Sequence, residues 1–144
     1  MGRINFYFEG VPRLVLYQDR LREIIQEVGI EENISVGDIN IVFCTDNYLL
    51  KINNSFLDHD YYTDIVTFDY TLGNRISGEL YISVDRVKEN AVIFQQPFKV
   101  ELVRVILHGV LHLLGYCDTT SDEELIMRNK EDYYLSLFQV YKMY

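Results

Sequence analysis

The stretch FKVELVRVILHGVLHLLGYCD, residues 98–118, decides how this chain folds. From Phe98 to Leu114 it is apolar almost all round, as a helix must be when protein surrounds it. After Lys99 in its first turn, Glu101, Arg104, His108 and His112 are its polar residues. At about 100° per residue these fall within an arc of roughly 80°. The spacing predicts a central, buried helix with one narrow polar face. That stripe is costly to bury without partners, so it must look onto a cleft, a partner chain or a metal ion.

Two histidines at i and i+4 can bring their nitrogens to one ion, as in the zinc helices with an HExxH pattern. Here Gly109 stands where those peptidases carry glutamate, so their general base is missing. No third histidine follows. Gly115 is a good left-handed helix terminator, after which the chain can reverse and bring Asp118 over the histidine face. Cys117 competes for that place because thiolate binds zinc well, and His59 is a more distant rival. Adjacent residues seldom point to the same side, so Cys117 and Asp118 are alternatives. Two imidazoles, a carboxylate and an open position make a catalytic zinc set. The plainer reading is a hydrogen-bonded histidine pair beside a Glu101–Arg104 ion pair.

Around this helix the pattern alternates between strand and helix. INFYF near the start reads as a strand. Pro12 suits a helical first turn, with Leu14, Leu21, Ile24, Ile25 and Val28 at helical spacing and Gly29 as the stop. Ile39, Ile41 and Phe43 read as a strand, and Thr45 or Asp46 can cap a helix carrying Leu49, Ile52 and Phe56. Residues 58–63 form a polar, aromatic loop. DIVTFDY and ELYIS flank the turn material TLGNRISG as a hairpin. Ser83 or Asp85 opens the next helix, and Ser121 with Glu124 fits a capping box for the last, whose inner face holds Met127, Tyr134, Phe138 and Tyr141. The expected fold is α/β (α+β): a small four-stranded mixed sheet packed with about five helices, in one domain spanning residues 1–144.

Composition sets limits on function. The chain has 144 residues, 49% of them hydrophobic and 24% charged, with a net charge of −9 and a pI near 4.7. The acidic balance opposes polyanions, so nucleic-acid binding needs a local arrangement of cations. The apolar run is broken too often to span a membrane, and the N-terminus lacks a signal-peptide core. Only Cys44 and Cys117 are present, as suits a reducing cytoplasm.

At His108 to Asp118 the sequence HGVLHLLGYCD resembles the signature of the YbeY family of metal-dependent endoribonucleases, H-G-x-L-H-L-x-G-Y-D-H. The register has no gap. Cys117 falls on the family's aspartate, and Asp118 falls on its third metal histidine. A second block, INNSFLDHDYYTDIVTF at residues 52–68, is similar to the family's L-N-x-x-Y-R-x-K-D-x-P-T-D-V-L-S-F. Asn53, Asp60, Thr63, Asp64 and Phe68 match there. The resemblance implies one zinc ion held by His108, His112 and Asp118, and cleavage of single-stranded ribosomal RNA or its precursors.

Two departures bear on that function. Leu57 stands at a family arginine implicated in RNA handling, and His59 at a family lysine. Arg104, one turn before His108, is the residue expected to supply charge stabilisation in their place. Rival readings are a zinc hydrolase of another substrate, such as a peptide, and a non-catalytic protein that binds basic ribosomal proteins around a structural metal.

Overall fold

A computed structural model describes residues 2–14, 16–57 and 63–143. The strands are β1 (Ile4–Glu9), β2 (Ser35–Cys44), β3 (Ile65–Asp69) and β4 (Arg75–Ser83), in the sheet order β1-β2-β4-β3. β1 and β4 run parallel to β2, whereas β3 is antiparallel to β4 across a tight turn at Gly73 and Asn74. The helices are α1 (Gln18–Glu31), α2 (Asp46–Leu57), α3 (Val84–Ile93), α4 (Phe98–Leu113) and α5 (Ser121–Leu137). This is the mixed four-stranded sheet with five helices that the pattern implied.

α4 is the centre of the molecule. It packs on β3 and β4 and on helices α3 and α5. Leu102, Val103, Ile106 and Val110 are all at most 1% exposed and merge with Ile39, Ile41, Phe43, Leu80 and Ile82 of the sheet. α2 covers the other face, where Leu49 meets Cys44 and Val66. Gly109 explains its own place in the motif. A Cβ there would come within 2.8 Å of Ile65 Cδ1 and 2.9 Å of Leu80 Cδ1 and Cδ2. The position that holds the general base in HExxH helices therefore faces the sheet, where only glycine lets the helix settle so close.

Several local expectations need correction. α2 leaves Phe56 71% exposed instead of carrying it inward with Leu49. Pro12 does not open α1, which begins six residues later at Gln18, so Leu14 only packs against the core from the preceding segment. Gly29 does not stop α1 either. It lies inside the helix, where a Cβ would meet Val36 Cγ2 at 2.7 Å, and the left-handed residue beyond the end is Asn33, with φ of 58°. The capping box of α5 is set one residue earlier than expected: Thr120 accepts from the Glu123 amide at 3.1 Å, and Glu123 Oε1 accepts from the Thr120 amide at 3.0 Å. Thr120 is the residue in the extended conformation that a cap requires, and Ser121 already lies in the helix. The last helix also ends at Leu137, ahead of a short 3-10 turn (Val140–Lys142) that buries Val140 and leaves Tyr141 exposed. Ser83 caps α3 as expected, its hydroxyl accepting from the Arg86 amide at 3.2 Å.

Because Ile106 is enclosed by sheet and helices, Ile106→Ala leaves a cavity and should cost about 2–5 kcal/mol. Thermal melts should show the loss both with and without chelator. A melting temperature equal to the parent's would mean that α4 is not the core helix.

Candidate metal centre

The end of α4 is shaped by the backbone of Leu111 to Tyr116. The Tyr116 amide bonds to the Leu111 carbonyl at 3.0 Å and the Gly115 amide to the His112 carbonyl at 3.0 Å, the paired bonds of a Schellman turn. Gly115, at φ of 102°, supplies the left-handed residue. The turn sends Tyr116–Asp118 back along the helix, and Asp118 arrives over the histidines.

Three donors then converge. His108 Nε2 and His112 Nε2 lie 3.0 Å apart, and Asp118 Oδ2 lies 3.1 Å from the first and 3.4 Å from the second. Zinc bonds of about 2.0–2.2 Å in a tetrahedron separate neighbouring ligands by about 3.3–3.6 Å, so the spacing suits donors that share one ion. The outer nitrogens are already committed. A carbonyl oxygen can only accept, so His112 Nδ1–H donates to Tyr116 O at 3.0 Å. His108 Nδ1–H donates to the Glu131 carboxylate at 2.7 Å. In neutral imidazoles both Nε2 lone pairs, together with a carboxylate oxygen, therefore face a common point. Three electron-rich atoms at such distances repel unless a proton or a cation lies between them. The donor set fits a metal.

Among the described residues no other group of histidines, cysteines and acids converges this way. Cys117 is exposed, and its thiol lies 3.7 Å from the Gly115 carbonyl, outside the group. His59 lies outside the described residues, as do Asp60, Tyr61 and Tyr62.

Arg104 shares the polar face but is only 6% exposed. It donates to Glu131 Oε1 at 3.1 Å and to Asp132 Oδ1 at 2.7 Å, whereas its Nε stands 3.6 Å from Glu101 Oε1. The expected Glu101–Arg104 pair is thus the long member of a buried network, and the guanidinium is held by α5. Glu131 was missed in the sequence. Its signal was a carboxylate four residues after Met127 on the buried stripe of α5, a place where an acid needs a partner.

Two clefts meet at the donors, and Asp64, His108 and Asp118 line both. One, of about 530 Å³, runs along β3 past Leu57, Thr63 and Thr67 and has no Lys or Arg among its described lining residues. The other, of about 320 Å³, lies between α3 and α5. Asp64 accepts from the Asn90 amide group at 3.1 Å. Burial pushes its carboxyl up from the ordinary value, and nearby His108 only partly offsets this. For His108, burial disfavours the charged ring. The Glu131 contact and the fields of Asp118 and Asp64 outweigh burial and raise its pKa.

Fold and donors define a class: an α+β protein with a candidate metal centre on a buried helix beside an edge strand. The chain belongs to the YbeY family, since the family model for Endoribonuclease YbeY matches residues 13–139. It is 53% identical over 116 residues to the Endoribonuclease YbeY of Flavobacterium psychrophilum, covering 81% of this chain and 83% of the relative. It is 48% identical to that of Christiangramia forsetii over 139 residues, covering 96% of each. The solution structure of TM1509 from Thermotoga maritima shares the fold, with a TM-score of 0.64 at 24% identity over 94% of this chain and 92% of that one. No helix among the described residues is long and apolar enough to cross a membrane.

Two measurements follow from this geometry. Glu131→Gln removes the carboxylate that orients His108, and metal affinity should fall about 10- to 100-fold in competition with a fluorescent chelator. Unchanged affinity would sink the orienting role. The second concerns pH. A raised His108 pKa stabilises the chelator-stripped protein fully below the unfolded value of 6.5, and that contribution is lost as pH rises through the folded value. Metal affinity should move the opposite way, since a protonated imidazole cannot bind. A stripped protein that gains stability from this group as pH rises would contradict the assignment.

Proposed function

We propose that this chain is a metal-dependent endoribonuclease that cuts single-stranded RNA during ribosomal RNA maturation, and that it acts in the cytoplasm. The observation that carries this reading is the convergence of His108 Nε2, His112 Nε2 and Asp118 Oδ2 in a cleft of a YbeY-family fold. Zinc, one per chain, fits two imidazoles and one carboxylate. When bound, it supplies Lewis acidity toward a phosphoryl oxygen.

The chain's own residues do the rest. Glu131 and the Tyr116 carbonyl fix the two rings in the tautomer that offers Nε2. Arg104 acts as a positioning residue through Glu131. It lines the cleft between α3 and α5 with its guanidinium already paired to two carboxylates, and on this reading its charge supports Glu131 before it supports a phosphate. Asp64 faces both clefts with a carboxyl raised by burial, and Asn90 engages only Oδ2. On this reading Asp64 is the carboxyl that takes up and returns a proton. The carboxylate ligand lowers the net charge of the site relative to three imidazoles, which weakens its pull on a phosphodiester.

Cleavage of a labelled single-stranded RNA should be lost on chelation and restored by zinc, while a duplex of the same sequence is spared. His112→Ala should abolish both metal binding and cleavage, yet leave a folded metal-free protein. Leu57→Arg returns a cation to the β3 cleft and should tighten RNA binding with a steeper salt dependence. Cleavage that persists in His112→Ala after chelation would refute the proposal.

A further inference from the structure

The cleft between α3 and α5 holds a pair of side chains that the metal centre does not use. Phe94, just past the end of α3, is 48% exposed, and the Arg128 guanidinium sits over its ring at 5.2 Å from the centroid. Both line the 320 Å³ cleft that contains His108 and Asp118. Val105 and Met127, each nearly fully buried, give this cleft an apolar floor, and Asn90 lines it beside Asp64. Arg128 differs from Arg104 in being available. Its side chain is 44% exposed, and its nearest acid is Glu131 at 3.7 Å, an oxygen already engaged by Arg104. Five acids also line the cleft: Glu101 and Glu131 are paired with Arg104, Asp64 and Asp118 sit at the donors, and Glu124 works against an anion there.

We propose that Phe94 and Arg128 form a nucleotide subsite beside the metal centre, in which an RNA base stacks on Phe94 and the adjoining phosphate meets Arg128. The proposal rests on the endoribonuclease reading above. Single strands are held by aromatic faces that stack any base and by cations that follow the backbone, and an arginine poised over a ring presents both together. An accessible cation is what sets this side of the site apart. The β3 cleft lacks Lys and Arg among its described lining residues, and Arg104 is buried, so Arg128 is the accessible guanidinium next to the donors. A strand passing the metal centre would then have its phosphates recognised on the α5 side and neutral groups facing β3.

The test measures binding apart from turnover. A fluorescein-labelled 2′-O-methyl single-stranded RNA, shown intact on a gel, is titrated into the zinc-loaded full chain and followed by anisotropy. Phe94→Leu keeps bulk but loses the π face, and should weaken binding about 5- to 10-fold. Phe94→Trp should retain affinity and have its fluorescence quenched by RNA. Arg128→Gln should weaken binding and reduce the slope of log affinity against log salt by about 0.7, the share of one single-strand phosphate contact. All three variants should melt near the parent temperature, because both side chains are half exposed. Parent-like affinity in Phe94→Leu, or an unchanged salt slope in Arg128→Gln, overturns the subsite while leaving the nuclease reading intact. A parent that neither binds nor cuts single-stranded RNA removes that reading, and the subsite with it.

Discussion

The contact between His108 and Glu131 is the one on which the rest of the site depends. α4 is enclosed by the sheet and by α3 and α5, yet it carries four ionisable side chains on one face. Water cannot satisfy the inner ones. Glu101 is 3% exposed and Arg104 6%, and a buried charge without a partner is far costlier than any single apolar contact. The structure meets this by facing α4 with Glu131, which takes His108 on one oxygen and Arg104 on the other. The same carboxylate that pairs a buried guanidinium thereby aims a ring of the candidate metal centre, so stability and site geometry come from one residue.

That arrangement ties the position of α5 to the chemistry, and a second cluster holds α5 where it must be. Glu32, beyond the end of α1, accepts from Tyr116 Oη at 2.6 Å, from Lys130 Nζ at 2.9 Å and from the Tyr134 hydroxyl. Burial opposes its charge, but these donors win and lower its pKa. Tyr116 belongs to the turn that carries Asp118, and its carbonyl orients His112. One acid thus joins α1, α5 and the ligand loop. Because its three donors outweigh burial, the charged Glu32 is favoured by the fold and ties that turn to both helices.

What the sequence revealed, and what it hid, follows from the range of each interaction. The apolar period of residues 98–114, the polar stripe, Gly115 and the reach of Asp118 are local facts of one helix and its terminator, and they were legible. The start of α1 was not, because Pro12 fits an extended lead-in as well as a first turn and only the core decides. Gly29 looked like a stop because its real constraint, the approach of Val36, comes from a strand seven residues on. The run Thr119, Thr120, Ser121 with Glu123 and Glu124 offers two overlapping capping boxes, and backbone conformation selects one. Arg104 was read against Glu101, its neighbour along the helix. Its stronger partners lie 27 and 28 positions away on α5, beyond what helical spacing can see.

An acidic chain can still hold a polyanion if its charges are arranged at close range. At physiological salt the field of exposed charges decays over about 8 Å, so the net charge of −9 matters less to a bound phosphate than the few groups beside it. Asp118, where the family signature has histidine, makes the candidate metal centre less positive, and Leu57, where the signature has arginine, leaves the rim of the β3 cleft without that cation. Both changes weaken attraction for the RNA backbone near the metal. Arg104 lines the cleft between α3 and α5 but is tied to Glu131 and Asp132, so drawing it toward an anion would weaken the counter-charge on Glu131 and loosen His108. Arg104 is therefore committed to α5 at short range, whereas Arg128 touches the same carboxylate only at 3.7 Å and keeps its guanidinium at the rim of the cleft.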